Sequence, residues 1–439
     1  MRDDETIGGS GFLGLDDRSI DVLLRPVMPE ARDPREEPTV AAVRRRFAVA
    51  AFSTLVEPGD TDAVALLSAV GPTAALRALV ERWPDDKLID HVRAEDEELA
   101  SLLAPRLRDA VDRWTPRLSM TAVTRALEMA AHLGAAFVTA DDELWPESVS
   151  SLGTGQPVAL WVRGDVRLLP SLARSIALVG ARAATGYGEH VAMESAAGLS
   201  DRGFAIASGG AYGIDGAVHR AALASGQTTV AFLAGGVDRL YPAGHTELLR
   251  RIADTGLLVA ELPCGSSPTR WRFLQRNRLI AAASRATVVI EAGARSGSLN
   301  TAGHAAAIGR PLGAVPGPVT SPASAGCHRL IREYDAVCVT TADEMAELAG
   351  LPPEASRGVL SSSPTVSEGG ASGDDLRVLD ALSTRAGRSA SEVASRAGMS
   401  LREVTARLGR LELEGRLAEE SDGWRVRAGR TRPGAGATG

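Results

Sequence analysis

Arginines and glycines dominate the part of the chain whose residue types could do chemistry. Several loops combine glycine with arginine or hydroxyl side chains, as in Gly180-Ala181-Arg182, Ser208-Gly209-Gly210 and Ser296-Gly297-Ser298. Glycines let the backbone approach an anion closely, and arginine supplies a charged, forked donor that suits phosphate. Between residues 173 and 332, 16 arginines stand against nine acids, a balance of +7, whereas the whole chain carries −7. This composition favours anion binding.

The elements that must position these loops alternate between apolar strands and helices. The predicted strands are mostly continuous apolar runs, which is typical of parallel strands buried on both faces. They are Ser175–Val179, Phe204–Ser208, Thr229–Ala234, Leu257–Leu262, Thr287–Ala292, Leu312–Val315 and Ala336–Thr340. Helical segments lie between them, among them Trp271–Ser284. The sequence therefore predicts an α/β domain over residues 135–350 with a doubly wound, Rossmann-like parallel sheet.

One edge of this sheet is the predicted binding site. In an open α/β sheet, ligands bind beyond the carboxyl ends of the strands, where glycine loops and helix N-termini suit phosphate. Aromatic residues at the same edge could stack on nucleobases, although core packing explains such residues equally well. These aromatic residues are Tyr187, Tyr212, Tyr241, Trp271 and Phe273. The candidate binding residues are Gly180, Arg182, Gly186, Ser208, Gly209, Gly210, Gly213, Tyr241, Arg276, Asn277, Arg278, Ser296, Gly297 and Ser298.

Motifs for cofactors and metals are missing from the sequence. The first strand is not followed by G-x-G-x-x-G, and Ser208-Gly209 stands where a dinucleotide enzyme has a carboxylate. The three cysteines form no C-x-x-C pair. Asp215 and His219 could form a catalytic or metal pair, but a helix acid followed by a packed histidine is the favoured interpretation. Glu291 could be a base or could hold Arg295 in an ion pair. We expect no cofactor and no metal.

The rest of the chain divides into four kinds of segment. Residues 1–38 and 429–439 are predicted to be disordered tails, and residues 351–372 a flexible linker. Residues 39–134 are predicted to form a helical domain, in which Thr61–Glu81 resembles a helix-hairpin-helix or is a plain helical packing unit. Residues 373–428 have the three-helix and hairpin order of a winged helix. The acidic N-terminus and the absence of an 18-residue apolar run predict a cytoplasmic protein without a membrane span.

Several motifs stand in the order found in one protein family. They are Val179–Arg182, Ser208–His219, Tyr241-Pro242, Phe273–Ile280, Ser296–Ala302 and Val315–Gly317. On these motifs, residues 135–345 resemble the DNA-processing protein A (DprA, also called Smf) family. The chain departs from the family pattern at Ala243-Gly244-His245, where some members have a lysine, at Leu274, where proline is usual, and at His328, which replaces asparagine.

The resemblance implies a protein without enzymatic activity that binds single-stranded DNA. Such proteins usually act as homodimers and load the recombinase RecA onto the strand, which protects incoming DNA during natural transformation. The resemblance places Arg182 and the segment Arg276-Asn277-Arg278 in the DNA groove, with amides of the glycine loops on phosphate. None of the departures affects these arginines.

Two other functions are compatible with parts of the sequence. A nucleotide- or phosphoribosyl-processing enzyme of a related fold would continue Pro316-Gly317 with Gly-x-Gly-Thr, which this chain lacks. A winged-helix regulator that senses a nucleotide would need a basic recognition helix. The module from Asp374 to Arg427 instead carries ten arginines and ten acids, a balance of zero.

Overall fold

The computed structural model describes residues 14–29, 38–350 and most of 375–426. In the last interval it describes residues 375, 378–379, 381–383, 386–397, 399–413, 416–420 and 423–426. By its internal contacts the chain divides into two units, Met1–Ala355 and Ser356–Gly439. Each unit is described by itself. The predicted linker 351–372 and the predicted tail 429–439 lie outside the described residues.

Helices fill the first part of the larger unit. Side-chain caps begin several of them, since Thr39, Asp60, Asp96 and Ser119 each accept a hydrogen bond from a backbone N–H three residues on. The helices are α1 (Asp17–Leu24), α2 (Val40–Leu55), α3 (Thr61–Val70), α4 (Pro72–Val80), α5 (Asp85–Glu95), α6 (Glu97–Trp114) and α7 (Met120–His132). The pair α3 and α4 confirms the two short helices predicted in Thr61–Glu81.

Helix α1 contradicts part of the predicted N-terminal tail. Asp16 caps it by accepting a hydrogen bond of 2.7 Å from the backbone N–H of Ser19. Ile20, Leu24 and Val27 are fully buried. These residues have the i, i+4, i+7 spacing of one helical face, which the surrounding charged residues obscure. The prediction of disorder is therefore wrong for residues 17–27, and the rest of that prediction falls largely on residues that are not described.

Within the described residues, nine strands form one sheet in the order β1-β2-β6-β5-β4-β3-β7-β8-β9. Strands β3 to β9 are parallel, which confirms the predicted doubly wound sheet. At one edge, β2 pairs antiparallel with β6, and β1 pairs antiparallel with β2. The strands are β1 (Ala135–Val138), β2 (Leu160–Gly164), β3 (Ser175–Gly180), β4 (Ala205–Ser208), β5 (Thr229–Leu233), β6 (Leu257–Ala260), β7 (Ala286–Glu291), β8 (Leu312–Ala314) and β9 (Val337–Cys338).

Helices cover both faces of this sheet, and the strand order reverses between β3 and β7. At such a switch point the neighbouring loops diverge and leave a crevice at the carboxyl ends of the strands. The helices are α8 (Gly186–Asp201), α9 (Ile214–Ala224), α10 (Thr246–Thr255), α11 (Arg270–Ala283), α12 (Ser298–Ala307), α13 (Ala325–Glu333) and α14 (Ala342–Leu348).

The helical region and the sheet share a hydrophobic core. Phe47 and Trp114 of the helices belong to the same buried cluster as Phe137 of β1 and Trp161 of β2. Arg46 of α2 also forms an ion pair with Asp142, just after β1. The predicted boundary near residue 135 therefore marks a change from helix to strand in the sequence but not a gap between cores.

None of the described helices is by itself long and apolar enough to cross a bilayer, and α3 and α4, bent by 110°, pass that test only as a pair.

The smaller unit has the winged-helix elements that the sequence predicts. They are α15 (Ala390–Ala397), α16 (Leu401–Leu413), β10 (Leu417–Glu420) and β11 (Gly423–Val426). The two strands pair antiparallel, and Val393, Val404 and Leu408 lie in a common core. Most of the helix predicted over Asp374–Arg385 lies outside the described residues.

Helix α1 generates a direct test of the corrected N-terminus. Replacing fully buried Leu24 by alanine removes apolar contacts and leaves a cavity, so we expect the free energy of unfolding to fall by about 2–5 kcal/mol. Val22 on the same helix is 63% exposed, and Val22→Ala should change that free energy by about 0.5 kcal/mol or less. Urea unfolding of both variants measures the difference. Equal stabilities would show that α1 does not pack on the core.

Candidate nucleic-acid interface

A groove of about 980 Å³ opens at the carboxyl ends of the parallel strands. The loop after β3, the start of α11 and the loop before α12 form its walls. This is the switch point between β3 and β7, where ligand binding is expected in such folds. The predicted binding residues that line the groove are Gly180, Arg182, Tyr241, Arg276, Asn277, Ser296, Gly297 and Ser298.

Three of the arginines that line the groove are exposed: Arg182, Arg270 and Arg295. Within the described part of the chain, their guanidinium groups form no ion pair and no side-chain hydrogen bond. Cζ of Arg182 lies 5.0 Å from the ring centroid of Phe273. The ring of Tyr241, which is 50% exposed, lies 5.6 Å from the same phenylalanine. The groove thus combines available cationic donors with an aromatic floor formed by Tyr241 and Phe273.

Arg276 lies beneath this floor and is 5% exposed. Its Nη1 donates hydrogen bonds of 2.7 Å to the carbonyl oxygen of Gly209 and 2.5 Å to that of Phe232. Burial lowers the pKa of Arg276 to about 10, although the nearby carboxylate of Asp215 acts in the opposite direction. The guanidinium is therefore charged at neutral pH, but its Nη1 donates to backbone carbonyl oxygens of the protein.

Two glycines of the β4–α9 loop are required by close contacts within the protein. A Cβ at Gly209 would lie 2.6 Å from Cζ of Arg276, so the buried arginine requires glycine there. Gly213 has φ of +74°, and a Cβ on it would lie 2.5 Å from the carbonyl oxygen of Arg182. These glycines bring the loops of the groove together, which differs from the phosphate approach that the sequence favours.

Arg278 does not line the groove. It forms a 2.7 Å ion pair with Glu261, and both side chains are nearly buried, at 5% and 11% exposure. Glu261 also accepts a hydrogen bond of 3.2 Å from the backbone N–H of Gly59, in the helical region. Six residues earlier on α11, Arg272 pairs with Glu57 at 2.7 Å. These arginines attach α11 to the helical region.

The remaining predicted residues divide between the groove and the surrounding structure. Asn277 donates to Oδ1 of Asn300 at 3.2 Å, and the hydroxyls of Ser296 and Ser298 lie 2.7 Å apart, so this wall of the groove is held by its own side chains. Ser208 is buried and donates to the carbonyl oxygen of Leu178. The predicted residues that do not line the groove are Gly186, Ser208, Gly209, Gly210, Gly213 and Arg278.

The structure adds Arg270, which the sequence analysis missed. The predicted helix begins at Trp271, whereas α11 begins at Arg270 after its cap Thr269. Arg270, Phe273 and Asn277 are spaced i, i+3, i+7, which places them on one helical face. All three line the groove. If the helix had been predicted to begin at Arg270, the sequence would have shown that this residue shares a face with Phe273 and Asn277.

Asp215 and His219 are both buried and held by contacts within the protein. Asp215 accepts hydrogen bonds from the backbone N–H groups of Gly209 and Ala211, and burial raises its pKa. His219 is fully buried with Nδ1 2.8 Å from the hydroxyl of Thr229, and burial lowers its pKa to about 3. Among the described residues, no group of three His, Cys, Asp or Glu side chains could hold a metal ion. The favoured interpretation, a helix acid followed by a packed histidine, is confirmed.

Comparisons with known proteins identify the family. Residues 136–350 match the family described as DNA recombination-mediator protein A, and residues 362–423 match the DprA winged helix domain. The chain is 42% identical over 399 residues to a DNA processing protein DprA of Mycobacterium tuberculosis, which covers 86% of this chain and 94% of that protein. The chain belongs to the DNA-processing protein A family.

Two further DprA-family proteins show how far the likeness extends. Protein Smf of Escherichia coli is 37% identical over 233 residues, which are 53% of this chain and 60% of Smf. The X-ray structure of DprA from Streptococcus pneumoniae superposes with a TM-score of 0.55 at 26% identity, and the match covers 71% of this chain and 98% of that one. The fold is therefore shared with a solved DprA structure.

The departures from the DprA pattern occupy different surroundings. Leu274 lines the groove and is 38% exposed. His245, in the segment that lacks the lysine, is nearly buried, with Nδ1 3.0 Å from the carbonyl oxygen of Gly210. His328 places Nε2 3.0 Å from the carbonyl oxygen of Gly317. Two of the departures are thus accommodated by contacts with the backbone of glycine loops.

The pKa of His219 makes stability depend on pH. The unfolded histidine takes up a proton below pH 6.5, whereas the folded one stays neutral down to about pH 3. Stability therefore decreases as the pH falls through this interval. We expect wild type to lose about 2 kcal/mol more than His219→Gln between pH 7 and pH 5, the value for one proton over about 1.5 pH units. Urea unfolding at both pH values measures this difference, and identical losses would contradict the buried neutral histidine.

Proposed function

We propose that the groove binds single-stranded DNA. The observation that carries this proposal is the presence of three exposed arginines around the rings of Tyr241 and Phe273. Within the described residues, the guanidinium groups of Arg182, Arg270 and Arg295 form no ion pair and no side-chain hydrogen bond. Arginine forks bind phosphates without regard to sequence, and aromatic rings stack on any base. The DNA-processing role of the family supports the same ligand.

Single strands fit this groove better than a duplex because stacking on Tyr241 and Phe273 requires bases that are not already paired and stacked. A duplex would present phosphates to the arginines but would keep its base faces inside the helix. We therefore expect the aromatic floor to add affinity for single strands only.

The proposed cellular role is that of a recombination mediator without enzymatic activity. The protein would protect incoming single strands and help to load RecA onto them, as in natural transformation, and it would act as a homodimer in the cytoplasm. The family description as a recombination mediator supports this role. The RecA and dimer contacts are proposed from the family resemblance alone.

The contacts inside the winged helix argue against a transcription regulator. Its third helix, α16, carries Arg402, Arg407 and Arg410. Asp375, which is nearly buried, pairs with Arg407 at 2.8 Å and also with Arg410. Because Asp375 engages both arginines and α16 also carries Glu403 and Glu412, the helix lacks the strong positive surface that a recognition helix presents to the major groove. We assign the DNA affinity to the α/β domain, residues 135–350.

The start of α8 argues against a nucleotide-processing enzyme. In dinucleotide-binding folds the phosphate lies at the N-terminus of the helix after the first parallel strand. In this chain that strand is β3 and that helix is α8. Here the carboxylate of Glu291 accepts hydrogen bonds from the backbone N–H and the hydroxyl of Thr185, the cap of α8. A protein carboxylate thus stands where a nucleotide phosphate would bind.

Removing the exposed arginines tests the proposed function. In Arg182→Ala/Arg270→Ala/Arg295→Ala we expect single-strand affinity to fall by about a thousandfold, since each charged hydrogen bond contributes about 1.5 kcal/mol or more. The slope of log K against log salt should become shallower by about 2, from three phosphate contacts at about 0.7 each. Filter binding with labelled single strands, duplexes and free nucleotides measures both quantities.

A matched variant controls for the change in net charge. Arg45, Arg93 and Arg108 are exposed on the helical region and already pair with surface acids. Changing these three to alanine should leave affinity within about twofold at the same salt concentration, since distant exposed charges are largely screened. Tight binding by the groove variant, or equal losses in the two triple variants, would refute the assignment of the DNA site. Stronger binding of free nucleotides than of single strands would favour the enzyme.

A further inference from the structure

Glu291 is a buried carboxylate that contacts no cationic side chain in the described part of the chain. It ends β7 and is 2% exposed. Its Oε2 accepts a hydrogen bond of 2.8 Å from the backbone N–H of Thr185, and its Oε1 accepts one of 2.6 Å from the hydroxyl of the same residue. The alternative suggested by the sequence, an ion pair with Arg295, is not formed. A buried charge needs compensation, and here it comes from hydrogen-bond donors.

The beginning of α8 supplies part of that compensation. Thr185 is the N-cap of this helix, whose free N–H groups carry partial positive charge. A Cβ at Gly188 would lie 2.5 Å from Oε2 of Glu291, so glycine lets the first turn of the helix pack directly on the carboxylate. Glu291 therefore acts as an internal anion at a position where related folds bind a phosphate.

Glu291 also holds the other end of the loop that carries Arg182. Its backbone carbonyl oxygen accepts a hydrogen bond of 2.7 Å from the N–H of Ala181. One residue thus anchors the chain immediately before and three residues after Arg182. Between these anchors, the side chain of Arg182 is exposed and contacts the ring of Phe273.

We propose that Glu291 is a positioning residue for DNA binding, which acts by holding the Ala181–Thr185 loop so that Arg182 faces the groove. This inference rests on the proposed function of the groove. Without the carboxylate, Thr185 loses its anchor and Arg182 samples orientations that point away from the strand. Ordering a mobile arginine on binding costs conformational entropy, so affinity falls although no DNA contact has been deleted.

The test compares variants of the anchor with and without Arg182. Glu291→Gln replaces one acceptor oxygen by an NH₂ group that cannot accept from Thr185. Thr185→Val deletes the hydroxyl donor with little change of shape, at an exposed position where folding is least at risk, and Thr185→Ser keeps the hydroxyl. Each variant is made in wild type and in Arg182→Ala. Ser119→Ala, which removes the side-chain cap of α7 far along the chain, controls for the loss of a helix cap.

We expect Glu291→Gln and Thr185→Val to weaken single-strand binding about five- to tenfold when Arg182 is present, a share of the roughly tenfold effect of one charged contact. In the Arg182→Ala background the same changes should weaken binding less than about twofold, because the two residues act as one unit. Thr185→Ser and Ser119→Ala should stay within about twofold of wild type.

Comparing the variants with and without Arg182 separates the positioning role of Glu291 from the proposed function of the groove. Equal losses in both backgrounds would overturn the positioning role, because a purely structural residue would weaken binding whether or not Arg182 is present. If Glu291→Gln does not fold, the Thr185 variants decide the question by the same criterion. If Arg182→Ala binds single strands as tightly as wild type, the assignment of Arg182 as a DNA contact fails, and the inference that depends on it fails too.

Discussion

The buried guanidinium of Arg276 is the contact on which the groove depends. It joins three segments that are distant in sequence: the loop after β4 through Gly209, the end of β5 through Phe232, and α11, which carries the arginine itself. Asp215 lies close enough to stabilise the charge and also holds the backbone of the Gly209 loop. Without Arg276, the carbonyl oxygens of Gly209 and Phe232 would lose a buried donor, and Asp215 would lose a nearby positive charge. The exposed arginines of the proposed DNA site lie above this base. The charge that builds the groove is therefore separate from the charges that we propose bind the ligand.

The sequence predicted the architecture well because its strongest signals are local. Buried parallel strands are continuous apolar runs, and the order of strand, loop and helix determines which loops meet at one edge. The position of the groove, and the inclusion of Arg182, Tyr241 and Arg276 in its lining, followed from that order. Helix α1 was missed because its apolar face consists of few residues among many charges, and tertiary packing rather than local composition makes it helical.

The roles of individual arginines could not be predicted, because they depend on partners far away in the chain. On α11, Arg272 pairs with Glu57 and Arg278 with Glu261, while Arg270 stays available at the groove. All three look alike in the sequence, and only the fold shows which of them meet a carboxylate. The same holds for the glycine loops, in which Gly209 and Gly213 make room for Arg276 and for the backbone of Arg182. The residues that we propose bind DNA and the residues that build the site are of the same types because both tasks require arginine and close backbone approach.

Photo-cross-linking tests the central claim most directly. A single-stranded oligonucleotide that carries 5-iodouracil, bound to the full chain and irradiated, reacts preferentially with aromatic side chains in stacking contact with the base. We expect cross-linked peptides to contain Tyr241 and Phe273, and the cross-links to disappear when excess unlabelled single strand competes but not when duplex does. Cross-links confined to the winged-helix unit or to the helices before residue 135, with the groove peptides unmodified, would contradict the account.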